Sequence, residues 1–107
     1  MLCELRIYEV VPGRMPALHD RFARITGRMF DKHGIRVVGY WTDVIGHNDR
    51  LTYLVAWENL ADRERRWTAF ATDPEWIAAR GQTEADGPIV ARVVNTILQP
   101  TPYSPTP

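Results

Sequence analysis

The chain is poor in the residue types that most catalytic signatures need. A single cysteine, Cys3, among 107 residues cannot close an internal disulfide. Its three histidines, His19, His33 and His47, lack the i, i+4 pairing of a metal-binding helix, so the chain reads as having no metal site and no cofactor. A haem would need a proximal histidine, for which His33 is the one candidate. No Gly-rich phosphate loop, nucleophile elbow or Ser-His-Asp order occurs. No apolar run approaches the roughly 18 residues of a membrane span, and Glu4, Arg6 and Glu9 interrupt the opening stretch where a secretory signal would be apolar. Net charge is absent too: 13 Lys plus Arg balance 13 Asp plus Glu, so no overall field favours nucleic acid or an anionic membrane. What these absences leave is a soluble, reduced, cytoplasmic protein.

What is present is a compact-domain composition, 45% hydrophobic and 24% charged. Cys3, Leu5 and Ile7 alternate with Glu4, Arg6 and Tyr8, a strand that stops at Pro12-Gly13. Met15, Leu18, Phe22, Ile25 and Met29 then recur at helical spacing, which puts Arg21, Arg24 and Arg28 on the opposite side, and Gly34 is the stop signal. Strands follow at Ile35 to Thr42 and Leu51 to Trp57, joined by a hairpin around Ile45-Gly46-His47-Asn48. Asn59 with Asp62 three residues on caps a second helix, whose buried side is expected to be Leu60, Trp67, Phe70 and Ala71, and Asp73-Pro74-Glu75 restarts it as a short extra turn carrying Trp76 and Ile77. The run Arg63 to Arg66 reads as a solvated helix face, and Gly81 to Pro88 as a loose connection before the last strand, Ile89 to Leu98.

The order strand, helix, strand, strand, helix, strand is that of an α+β, ferredoxin-like βαββαβ domain: an antiparallel four-stranded sheet with its helices on one face. Three of the four strands are apolar on both alternating faces, so the uncovered face calls for a second copy of the chain. Residues 1–99 are expected to form this one domain, and residues 100–107, with four prolines, an extended tail.

Four stretches in order carry a family resemblance: Glu4-Leu5-Arg6-Ile7-Tyr8 before Pro12-Gly13; Val38-Gly39-Tyr40-Trp41 with Ile45-Gly46; Trp57-Glu58-Asn59-Leu60-Ala61-Asp62-Arg63; and Asp73-Pro74-Glu75-Trp76. Together they resemble the NIPSNAP family from Met1 to about Pro100. The resemblance implies a ferredoxin-like subunit that pairs sheet to sheet into a dimeric α/β barrel, and it implies little chemistry. Similar barrels outside the family include cofactor-independent quinol monooxygenases, haem-degrading monooxygenases, muconolactone-type isomerases and polyketide cyclases, a likeness of fold alone.

The polar residues embedded in aromatic strands supply the candidate site. Arg6, Tyr8, Arg92 and Asn95 offer cations, a phenol and an amide to an enolate or a carboxylate-bearing aromatic compound. Glu58, beside Trp57, is placed to act as a base or to cap the following helix. Tyr8, Arg6 and Glu58 are therefore the catalytic candidates, and Tyr40, Trp41, Tyr53, Trp57, Arg92 and Asn95 the ligand-binding ones. The expected activity is cofactor-free oxygenation or isomerisation of a small aromatic or polyketide-like ligand. The competing expectation is a binding or assembly module whose aromatic residues serve only dimerisation, with Arg6 paired to Glu4 or Glu58 as a barrel-closing ion pair. His33 is otherwise expected to interact with a helix end, His47 to form a turn and His19 to lie on a helix surface. A ligand-sized cavity with convergent polar groups separates the two expectations.

Overall fold

The computed structural model describes residues 1–105. Its elements are β1 (Leu2–Val10), α1 (Met15–Arg21), a π-helical turn (Phe22–Thr26), α2 (Gly27–Lys32), β2 (Arg36–Thr42), β3 (Arg50–Trp57), α3 (Leu60–Ala71), α4 (Pro74–Thr83) and β4 (Val90–Leu98). All strand pairs are antiparallel in the order β2-β3-β1-β4, the ferredoxin-like plan that the alternation of elements predicts.

Local signals place the helices as read. Gly34 takes φ +67° after α2, where a side chain would also meet the Arg66 guanidinium. Asn59 Oδ1 accepts from the Asp62 N–H at 2.8 Å to start α3, and Asp73 Oδ1 accepts from the Glu75 N–H at 2.9 Å to start α4. The Gly81 to Pro88 connection is shorter than expected, because α4 continues through Thr83. Leu60, expected to be buried, is exposed; as the first residue of α3 it precedes the turn that meets the sheet.

The core lies between the helices and one face of the sheet. Met29, Phe30, Phe70 and Trp76 from the helices pack with Tyr53, Val55 and Trp57 from β3, and Leu18 packs with Val10, Leu51 and Ile89. Period-two geometry then fixes the β1 face. Glu4 and Arg6 share the buried side with Tyr8, while Leu5 and Ile7 turn to the side without helices. A polar buried face and an aliphatic outer one is the reverse of what a self-sufficient sheet would choose.

Two irregularities re-aim side chains. Val38 is the extra residue of a β-bulge, so Tyr40 joins Val37 over the core, whereas Trp41 falls on the outer face and lies across Gly39. In the first helix the Gly27 N–H donates to the Phe22 carbonyl, five residues back. That π turn keeps Thr26 in an inward stripe with Leu18, Phe22 and Phe30; Arg21, three residues after Leu18 and ahead of the turn, is buried beside this stripe rather than on the polar side expected of it.

Candidate functional site

A cavity of about 250 Å³ opens between the sheet and the helices. Its aromatic walls are Phe22, Phe30, Trp67, Phe70 and Trp76, and its polar groups come from Arg6 and Tyr8 on β1, Arg21 and Thr26 on the first helical stretch, and Arg80 on α4. The walls are rigid because their rings stack in series: Phe30 to Phe70 at 5.0 Å, Trp67 to Phe70 at 5.2 Å and Phe70 to Trp76 at 4.7 Å between centroids.

Beneath the cavity floor runs a continuous polar network. The fully buried Glu4 carboxylate accepts from Arg6 Nη1 at 2.8 Å, Arg63 Nε at 2.8 Å, Trp57 Nε1 at 3.0 Å and Asn95 Nδ2 at 2.9 Å. Burial alone would push this carboxyl up, but Arg63, Asn95 and Arg6 outweigh it and hold the pKa at about 2. Arg6 Nε donates to Tyr53 Oη at 2.9 Å, and Tyr53 Oη shares a 2.8 Å hydrogen bond with Tyr8 Oη. Burial, reinforced by the neighbouring Tyr8 oxygen and opposed by Arg6, raises the Tyr53 pKa, so this ring remains a neutral phenol. The Arg6 guanidinium also lies 4.3 Å from the Trp67 ring centroid, a cation–π contact that holds it flat against the wall.

The structure brings together most, but not all, of the residues that the sequence singles out. Arg6 and Tyr8 line the cavity; Tyr53, Trp57 and Asn95 support them from behind, the last two through Glu4. Tyr40 packs against Phe22 and Tyr53, and burial pushes its hydroxyl up to about 12. Trp41 lies on the outer face, 52% exposed. Arg92 pairs with Glu9 near the sheet edge, and Glu58 sits beyond β3 with its N–H donating to Asp62 Oδ2. His33 Nε2 lies 2.8 Å from Asp73 Oδ2 and is off the cavity wall, so the residues present do not fit a haem with a histidine ligand. His47 anchors the hairpin through its N–H to Asp43 Oδ2.

Four contributors escape sequence reasoning: Arg63, Arg66, Arg21 and Thr26. Arg63 looks like part of a solvated charge run, yet it shares the buried Glu4 with Arg6, the partner that the sequence already offered Glu4 as an ion pair. Arg66 in the same run ties Asp62 to the carbonyl of His33. Thr26 reaches the cavity through the π turn, which no sequence pattern announces, and Arg21 by standing three residues after Leu18 in α1. Thr26 Oγ1 and Arg21 Nε are buried without a hydrogen-bond partner. Replacing the hydroxyl by a methyl removes an unsatisfied polar group at equal shape, so Thr26→Val is expected to stabilise the ligand-free protein by about 1 kcal/mol, read as a raised urea midpoint.

The NIPSNAP family profile matches residues 3–105. An uncharacterized NIPSNAP-like domain protein from Burkholderia xenovorans superposes with TM-score 0.86 at 28% identity, over 98% of this chain and 89% of that one. Protein Atu4242 from Agrobacterium tumefaciens gives TM-score 0.86 at 26% identity, over 98% of both chains. More distantly, a MhuD mutant with two manganese protoporphyrin IX molecules bound per active site shares the fold at TM-score 0.63 and 19% identity, over 99% of this chain and 100% of that one. The chain has no match among curated proteins. A match over nearly its whole length, joined to the βαββαβ sheet order, means that the chain belongs to the NIPSNAP family.

Proposed function

We propose that the chain works as a homodimer whose helix-side cavity binds a small aromatic or polyketide-like molecule through an ionisable oxygen. The observation that carries this reading is the meeting of stacked aromatic walls with a buried Arg6, Tyr53 and Tyr8 relay in one cavity. Its volume of about 250 Å³ lies just below the 300–1,000 Å³ range of drug-sized sites, which suits one or two rings and not a porphyrin. Tyr53 accepts from Arg6, and either hydroxyl can donate in its bond to Tyr8; in the arrangement where Tyr53 donates, the Tyr8 hydroxyl keeps its proton for a ligand oxygen. That donor, backed by a buried cation, favours the phenolate or enolate form of the ligand. Such an anion, formed as the ligand releases its proton to solvent, is the shared first stage of cofactor-free oxygenation, in which it passes an electron to O₂, and of isomerisation, in which solvent returns a proton to a different carbon.

The dimer completes the architecture. The outer sheet face carries Trp41, Val94 and Leu98 in partly exposed positions, and every buried helical residue packs on the other face. A purely assembling role is disfavoured because Tyr8, Tyr40, Tyr53 and Trp57 turn away from this outer face and toward the helices. Thermal-shift and oxygen-uptake screens with quinols, naphthols and aromatic acids test the reading. A ligand that raises Tm in the native chain and loses at least half of that shift in Tyr8→Phe supports it; the absence of any saturable aromatic ligand contradicts it.

A further inference from the structure

The charge around the cavity does not balance. Arg6, Arg21 and Arg80 line it, and among the described residues no carboxylate does. The nearest acids are shared: Glu4 serves both Arg6 and Arg63, and Glu84 serves Arg21 at 3.4 Å and Arg80 at 3.7 Å. Four guanidinium groups thus face two carboxylates. The deficit concentrates on the Arg21 side. Glu4 is held by short bonds at both of its arginines, whereas Arg21 has 3.4 Å hydrogen bonds to Glu84 Oε1 and Thr83 Oγ1 and a 5.9 Å cation–π approach to the Trp76 ring. Buried cations are normally paired at shorter range, because desolvation otherwise costs more than the pairing returns.

Arg21 is 4% exposed and its Nε has no partner; Thr26, one turn away and 3% exposed, has an unpartnered hydroxyl; both line the same cavity. Two buried donors with unused hydrogens, beside a third cation at Arg80, describe an anion subsite built into the protein. The π turn helps to build it by holding Thr26 on the stripe that faces the sheet, while Arg21 reaches the same cavity from the last residue of α1.

We infer that this cavity selects a ligand bearing a carboxylate, bound by Arg21 and Thr26 with Arg80 at the rim, its ring between Phe22, Phe70 and Trp76. This rests on the reading of the cavity as an aromatic-ligand site and adds the ligand's charge class and the residues that recognise it. The placement separates two tasks: Arg21 and Thr26 hold the carboxylate, and Tyr8 meets an oxygen elsewhere on the ring system. The guanidinium is suited to the first task because its planar fork matches a carboxylate, which a lysine ammonium does not.

Calorimetric titration of the full chain with 2-naphthoate, 2-naphthamide and 2-naphthol tests the inference. The naphthoate is expected to bind at least about tenfold more tightly than the amide, and Arg21→Lys, Thr26→Val and Arg80→Gln each to weaken it by about three- to tenfold or more while leaving amide affinity within about twofold. Arg80 is at the rim, so its variant keeps the test valid even if a change at buried Arg21 disturbs folding. Equal binding of all three probes, or naphthoate binding insensitive to Arg80→Gln and Thr26→Val, overturns the carboxylate subsite and leaves the aromatic-ligand reading standing. Failure of all three probes and of the broader aromatic screen overturns both.

Discussion

Glu4→Gln is expected to cost about 3–5 kcal/mol of stability, because it leaves the buried Arg6 and the partly buried Arg63 without their shared counter-ion. The substitution keeps shape and some hydrogen bonding, so the loss reports the charge. An exposed pair provides the control: Glu9→Gln, opposite Arg92, is expected to change stability by no more than about 0.5 kcal/mol. Urea denaturation of both variants at neutral pH measures the difference. The pH profile adds a second signature. The Glu4 pKa is depressed from the ordinary 4.5 to about 2, so its stabilisation is fully present above about pH 4.5 and disappears as pH falls through about 2. Asp73, held below its ordinary range first by Lys32 and then by His33 and the Glu75 N–H, adds to the same acid limb. Stability of the native chain should therefore fall steeply across this window, and that of Glu4→Gln should fall less. A Glu4→Gln protein as stable as the native one at pH 7 contradicts the role given to the network.

For the proposed dimer, Leu54→Asp is expected to give monomer or aggregate, and Trp41→Asp to raise the dissociation constant by about a hundredfold. Leu54 is central on the outer face, opposite Leu5 on β1 and Gly39 on β2, so a charge there is desolvated by any sheet-to-sheet partner. Trp41 supplies the largest exposed ring of that face. Sedimentation velocity at micromolar concentration distinguishes the outcomes. A native chain that sediments as a compact monomer, or variants that remain dimeric, contradicts pairing through this face. Val38 and Tyr40 are poorer choices for the same test, since Tyr40 faces the core and Val38 occupies the bulge.

The fold was legible in the sequence because its signals are local. Asn59 with Asp62, Asp73 before Pro74, and Gly34 after a five-member apolar stripe mark helix ends by short-range hydrogen bonding and backbone conformation. The site was legible only in part. Arg6 and Tyr8 could be picked out as polar residues among aromatics, and Tyr53, Trp57 and Asn95 emerged as their supports. Trp41, Arg92 and Glu58 could not be separated from them, because sequence alternation gives two faces without saying which one the helices cover. A one-residue bulge at Val38 then moves Tyr40 and Trp41 onto the opposite faces from those that strict alternation from Val37 assigns. Thr26 depends on a π turn, an irregularity of one hydrogen-bond register that leaves no mark in residue spacing, whereas Arg21, three residues after Leu18, flanks the apolar stripe instead of opposing it. Arg63 and Glu4 pair across 59 positions, beyond the reach of any pattern read along the chain.

The cavity between sheet and helices is the centre of this account, and a crystal soaked with 2-naphthoate tests it most directly. The account predicts ligand density among Phe22, Phe70 and Trp76 with the carboxylate against Arg21 and Thr26. Density seated on the outer sheet face, or a cavity closed by its own side chains while naphthoate binds saturably in solution, would contradict it.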